Sequence, residues 1–152
     1  MSRRIWLAAL ATGVAVAGVP AGSASGAASG VVYGGITPQK WPVIVQVARD
    51  GRSIDRAAIG FTLNCNVGGT LANYDRYNKL VLSRAGKFSS KFGPTTTNNP
   101  DGTKTVFSGS IAGQVKGSKA KGTWQLISVD QDAAGTTTRS CDSGKVSWTA
   151  TQ

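Results

Sequence analysis

The chain has 152 residues, with 17 lysines and arginines against seven aspartates and a formal charge of +10 at neutral pH. It contains no histidine, no glutamate and only two cysteines. This composition lacks the usual general base of hydrolytic enzymes and the ligand sets of structural zinc sites. The positive charge favours anionic partners, but the basic residues are scattered, so it serves solubility as readily as dedicated binding.

The N-terminus has the layout of an export signal. Arg3 and Arg4 precede an apolar run that begins at Ile5 and ends at about Val19, and small residues follow. We expect residues 1–28 to be a signal peptide and residues 29–152 to be one secreted domain, whose charge is +8 without the two arginines. A retained membrane anchor is the weaker alternative, because the apolar run is short and interrupted by glycine. The general secretory and the twin-arginine routes both remain open.

The remainder of the chain is rich in glycine, threonine, serine and valine, which is typical of strands and turns. Residues 41–49 alternate, and the side chains that share one face are Trp41, Val43, Val45 and Val47. Residues 53–65 alternate in the same way, with Ala57, Ile59, Phe61, Leu63 and Cys65 on one face. A period of two predicts half-buried strands, the second of which ends at an inward-facing cysteine.

The next segment is ambiguous. In residues 70–82, Leu71, Tyr74 and Tyr77 would share a helical face, so a helical turn or a loop is as consistent with the pattern as a strand. Strand patterns return in residues 87–92, with Phe88 and Phe92 on one side, and in residues 104–116. These two segments predict a hairpin around a long loop, residues 93–103, with a turn at 100–102.

The C-terminal part predicts three further short strands. Residues 122–130 form the first, a polar loop covers residues 131–137, and a short strand ends at Cys141. The last strand covers residues 145–152, where Val146, Trp148 and Ala150 face one way. Because turn signals recur every eight to twelve residues, we predict a single all-β domain, an antiparallel β-sandwich or β-barrel of about seven to nine strands.

The two cysteines admit a reactive, a metal or a structural role. No histidine is present to activate a thiolate or to complete a zinc site. An exported protein with two cysteines most often pairs them. We therefore predict a disulfide between Cys65 and Cys141, and we expect no metal and no cofactor.

The seven aspartates are the only acidic residues that could support catalysis. Most lie in turn-like contexts, such as those of Asp50, Asp101 and Asp142, which Asx turns explain without chemistry. Asp130, Asp132 and Gly135 resemble the start of a calcium loop, but Ala134 and Cys141 stand where that loop needs oxygen ligands. We therefore expect no catalytic residue.

The aromatic residues suggest either a packed core or a platform for sugar rings. Trp41, Trp124 and Trp148 follow the apolar parity of strands, which predicts core packing. Tyr74 and Tyr77 lie in a polar segment with Arg76, so these three are the candidate exposed binding residues, although a loop-anchoring role for the tyrosines remains the simpler interpretation.

Four segments resemble small secreted bacterial proteins of the actinobacterial type that have no assigned activity: Tyr33 to Val45, "RAAIGFTLNC", "GKFSSKFG" and the closing "GTW…CDSGKVSWTA". The resemblance implies secretion and contributes no functional residue. We expect an extracellular, non-catalytic and monomeric module that binds an anionic cell-wall polymer or glycan, with no specific nucleic acid and no membrane as partner after signal cleavage. The alternative is a small Asp-dependent hydrolase.

Overall fold

The computed structural model describes residues 30–152, so the predicted signal peptide lies outside the described residues. These residues form nine β-strands and no helix, and none of them belongs to a helix that could cross a membrane. The strands are β1 (Val32–Ile36), β2 (Pro42–Val47), β3 (Ser53–Cys65), β4 (Thr70–Val81), β5 (Lys87–Asn98), β6 (Lys104–Lys116), β7 (Lys119–Gln131), β8 (Thr137–Asp142) and β9 (Val146–Thr151). The predicted all-β fold is confirmed.

Six of the strands close into an antiparallel barrel. Around the ring, β1 pairs with β2, β2 with β3, β3 with β8, β8 with β7, β7 with β9 and β9 with β1. Outside the ring, β4 pairs with β3, and β6 pairs with β7 along one edge and with β5 along the other. The sequence left open whether the fold is a sandwich or a barrel. The structure is a barrel with additional strands outside the ring.

The interior is built from the alternating positions that the sequence indicated. Ala57, Ile59, Phe61 and Leu63 of β3 are buried, and so are Val43, Val45 and Val47 of β2. The ring centroids of Phe61 and Trp124 lie 3.8 Å apart at the centre. Trp148 lies over Gly122 of β7, where an added Cβ would be 2.5 Å from Cζ2 of the indole. The absence of a side chain at Gly122 therefore makes room for this large ring.

Two segments differ from the sequence-based expectation. Within residues 70–82, for which the sequence favoured neither a helical turn, a loop nor a strand, Thr70–Val81 form β4, because β3 supplies an antiparallel partner from Ser53 to Asn64. The expected long loop at residues 93–103 is short, since β5 continues through a register shift between Phe92 and Thr95 and ends at Asn98. In both cases pairing with a long neighbour satisfies backbone groups that a loop would leave to water.

The predicted Cys65–Cys141 disulfide is confirmed, with a sequence separation of 76 residues and a Cα–Cα distance of 4.0 Å. It links β3 to β8, where the ladder consists only of the pairs Asn64 with Asp142 and Cys65 with Cys141. Asn66 extends this contact, because its backbone amide donates to the carbonyl of Ser140 and its side-chain oxygen accepts from the Ser140 amide. The disulfide thus lies at the shortest seam of the barrel.

Candidate binding groove

A groove of about 460 Å³ lies on the outer face of β2, β3 and β4. The groove forms because three outward-facing positions carry small side chains, which leave space above the sheet. These positions are Ala58 and Gly60 on β3 and Ala72 on β4. The register pairs Ala58 with Arg76 and Gly60 with Tyr74, so each of these two small residues of β3 has a large neighbour on β4. The side chains that rise around the floor are Trp41, Ile44, Tyr74 and Arg76.

Trp41 forms one wall and is half-buried, which corrects the expectation that it packs in the core. It lies one residue before β2, in the turn closed by the hydrogen bond from the Thr37 amide to the Trp41 carbonyl. Its indole Nε1 donates to Oγ1 of Thr62 at 2.8 Å. Trp41 also lies close against Gly60, where an added Cβ would be 2.9 Å from the Cβ of Trp41. The ring is therefore held in a fixed position beside the groove floor.

Tyr74 and Arg76 form the opposite wall. Tyr74 is 60% exposed, and the Arg76 guanidinium lies over its ring at 5.1 Å from the centroid. Nη2 of Arg76 also donates to the Tyr74 hydroxyl at 3.3 Å. The guanidinium has no carboxylate partner, since the one ion pair among residues 30–152 joins Arg139 to Asp130. Two of the three candidate binding residues are thus exposed, adjacent and available to a ligand.

Tyr77 is the exception, because it is only 8% exposed and the expected surface position is wrong. Its hydroxyl accepts a hydrogen bond from Nε1 of Trp124 at 3.1 Å inside the molecule. Burial raises the pKa of Tyr77 well above its ordinary value, and the negative charge of Asp75 raises it further. The strand alternation of β4 explains the difference: Tyr74 and Tyr77 are three residues apart, so they face opposite sides of a strand, whereas a helix would place them together.

The other two tryptophans of the described residues behave as expected and belong to the core. Trp124 is 1% exposed and Trp148 is 3% exposed. They contribute no surface to a sugar platform, which leaves Trp41 as the tryptophan available at the groove.

Three aspartates form the turns that the sequence indicated. A side-chain oxygen of each accepts from the backbone amide two residues later: Asp50 from Arg52, Asp101 from Thr103 and Asp142 from Gly144. The Thr103 hydroxyl also donates to Asp101, and these bonds hold the pKa of that carboxyl below its ordinary value. These carboxylates have structural roles at the ends of strands.

Asp130 and Asp132 line one depression, the arrangement that a hydrolase or a calcium site would need. Asp130 accepts from Nε of Arg139 at 2.7 Å, pairs with its Nη2 and accepts from the Thr105 hydroxyl. Asp132 accepts from the Thr136 amide at 2.8 Å. Within the described residues no group of three or more potential ligands is arranged to hold a metal ion.

Comparisons with protein-family models, with curated proteins and with solved structures found no match for this chain. The functional argument therefore depends on the geometry of the groove. The sequence signal that could have located it is the run of small outward residues in β3, Ala58 and Gly60, opposite Tyr74 and Arg76, once the strand pairing is known.

Proposed function

We propose that this protein is an extracellular, non-catalytic β domain that binds an anionic glycan in the groove. The observation that carries the proposal is the position of Trp41 and Tyr74 on opposite sides of a shallow apolar floor, with Arg76 beside Tyr74. The apolar face of a sugar ring packs against aromatic rings, and a planar guanidinium pairs with a carboxylate through two parallel hydrogen bonds. A glycan that contains uronic acid offers both features.

The residues that line the groove support binding without cleavage. Glycosidic hydrolysis uses two carboxyl groups across the scissile bond, and none of the described groove residues is acidic. The disulfide is consistent with an oxidising, extracellular environment. The uronic-acid glycan favoured by the groove is one member of the group of anionic polymers and glycans expected from the net charge.

The test is a titration of the purified protein with oligogalacturonate and with its methyl-esterified, uncharged counterpart, followed by tryptophan fluorescence at two salt concentrations. We expect Tyr74→Ala to weaken binding of both ligands about fivefold or more, because it removes about 1 kcal/mol of aromatic contact. Arg76→Lys should weaken only the charged ligand, since it keeps the charge but loses the planar fork. Val81→Ala, on the same strand, 78% exposed and outside the groove, is the matched control.

Saturable binding that Tyr74→Ala leaves unchanged would show that the groove is not the glycan site. Release of reducing ends from the oligogalacturonate by the purified protein would overturn the non-catalytic assignment.

A further inference from the structure

A second surface, distinct from the groove, is formed by the outward side chains of β5, β6, β7 and β9. The register aligns Lys87, Gln114, Lys121 and Thr149 in one row across the four strands. The next row is Ser89, Ala112, Thr123 and Ser147, and a third consists of Lys91, Ser110 and Gln125. We call these three rows, together with Lys116 and Lys119 at the adjoining end of β6 and β7, the lysine face.

All five lysines of this face are exposed: Lys87, Lys91, Lys116, Lys119 and Lys121. None of them is in an ion pair, because Arg139 and Asp130 form the single ion pair of the described residues. No position of the three rows is acidic. A carboxylate lies at the border of the face, that of Asp142, which accepts from Nε2 of Gln125 at 3.1 Å. The face is therefore uniformly cationic, with uncharged hydroxyl and amide groups between the charges.

The spacing of the lysines follows from sheet geometry. Lys87 and Lys91 are four residues apart on β5, which corresponds to about 13 Å along an extended strand. Lys87 and Lys121 are separated by two strand spacings, or about 10 Å. A charged ligand that contacts all three must be extended over this distance, so a single small anion reaches at most one or two of them.

The side-chain types select among extended anions. The rows contain no aromatic residue, so neither sugar rings nor nucleic-acid bases have a surface on which to stack. The cations are all lysines, which act as compact point charges and lack the planar fork that recognises carboxylates. Serine and threonine hydroxyls between them can donate hydrogen bonds to phosphate oxygens. The groove, with Arg76 and aromatic walls, has the opposite character.

We propose that the lysine face binds a linear polyphosphate-type polyanion, whose charges are phosphates repeated along a flexible chain. This site is independent of the groove and of the glycan proposed for it. Binding there is electrostatic, so affinity falls steeply with salt, and each lysine that contacts a phosphate contributes about one unit to the salt slope.

The experiment uses inorganic polyphosphate of defined chain length and isothermal titration of the purified protein across a series of salt concentrations. The test variant combines Lys87→Gln, Lys91→Gln and Lys121→Gln. The control combines Arg49→Gln, Arg52→Gln and Lys79→Gln, which removes three exposed cations from other parts of the chain and lowers the net charge equally. We expect the test variant to bind at least about tenfold more weakly, with a salt slope smaller by about two to three, and the control to change by less than about twofold.

A third variant, with the same three lysines replaced by arginine, should retain binding to within about twofold, which separates loss of charge from loss of folding. Equal weakening by the test and control variants would reduce the effect to net charge and overturn the proposal, as would the absence of binding by the unmodified protein at low salt. Tighter binding of double-stranded DNA than of polyphosphate would overturn the assigned ligand. Tyr74→Ala should leave polyphosphate binding unchanged, so failure of the groove and failure of the lysine face are distinguishable.

Discussion

The disulfide offers the sharpest test of how this barrel is stabilised. Reducing Cys65–Cys141, or replacing both cysteines by alanine, opens a loop that spans 76 residues of the chain. The chain-entropy relation assigns about 4.5 kcal/mol to a cross-link of that length. For a domain of this size, each kcal/mol shifts the melting temperature by about 4 °C, so we expect a decrease of roughly 15–20 °C.

The position of the bond adds a local expectation. The β3–β8 ladder contains two residue pairs, whereas β7 and β8 share five. Without the cross-link the barrel should open first at this seam. The backbone amide of Asn66, which donates to the Ser140 carbonyl across the seam, should then lose protection against hydrogen exchange before the amides of β2.

Thermal and urea unfolding of three samples measure the effect: the oxidised protein, the same protein with a non-thiol reductant, and the double alanine variant. The reduced protein keeps both sulfur atoms, so its difference from the alanine variant measures the loss of packing around the two sulfurs, at buried Cys141 and at partly buried Cys65. A decrease in the free energy of unfolding below about 1 kcal/mol in the reduced protein would refute the chain-entropy reasoning for this barrel.

Three further substitutions test individual contacts. Tyr77→Phe leaves the buried indole N–H of Trp124 without its acceptor and should cost about 1–3 kcal/mol in urea unfolding. Because the folded state raises the pKa of Tyr77, it keeps the phenol proton where the unfolded chain releases it, so stability should decline above about pH 10, and the phenylalanine variant should lack that part of the decline. Gly122→Ala places a methyl group against an indole and a backbone carbonyl, and should lower stability by about 1–3 kcal/mol. Arg139→Ala breaks a partly exposed ion pair with Asp130 and should change stability by less than about 1 kcal/mol; a larger loss would show that the pair is more than a surface contact.

Local sequence patterns were sufficient to predict which residues share a strand face, where the aspartate turns lie and that the two cysteines form a disulfide. Alternation in β2 and β3 depends only on the two-residue period of an extended chain, so the buried positions from Val43 to Leu63 could be read from the residues themselves. Asp50, Asp101 and Asp142 form their turns through hydrogen bonds to amides two residues away, which are equally local. The pairing of the two cysteines could be predicted without geometry, because each cysteine is the only possible partner of the other in this chain.

Strand pairing decided the rest, since it brings together residues that are distant in the sequence. The pattern of residues 70–82 is as consistent with a helical turn or a loop as with a strand, and only pairing with β3 determines that it is a strand. In this strand Tyr74 faces outward and Tyr77 faces inward. Trp41 follows the parity of a core residue, yet it lies one residue before the start of β2, so its ring lines a groove whose floor comes from β3 and β4. The lysine face likewise depends on four strands aligned in register, whereas in the sequence its lysines are only scattered charges. A single sequence indicates which residues share a face of each strand, but it does not indicate which strands pair. Both proposed sites consist of residues from several paired strands.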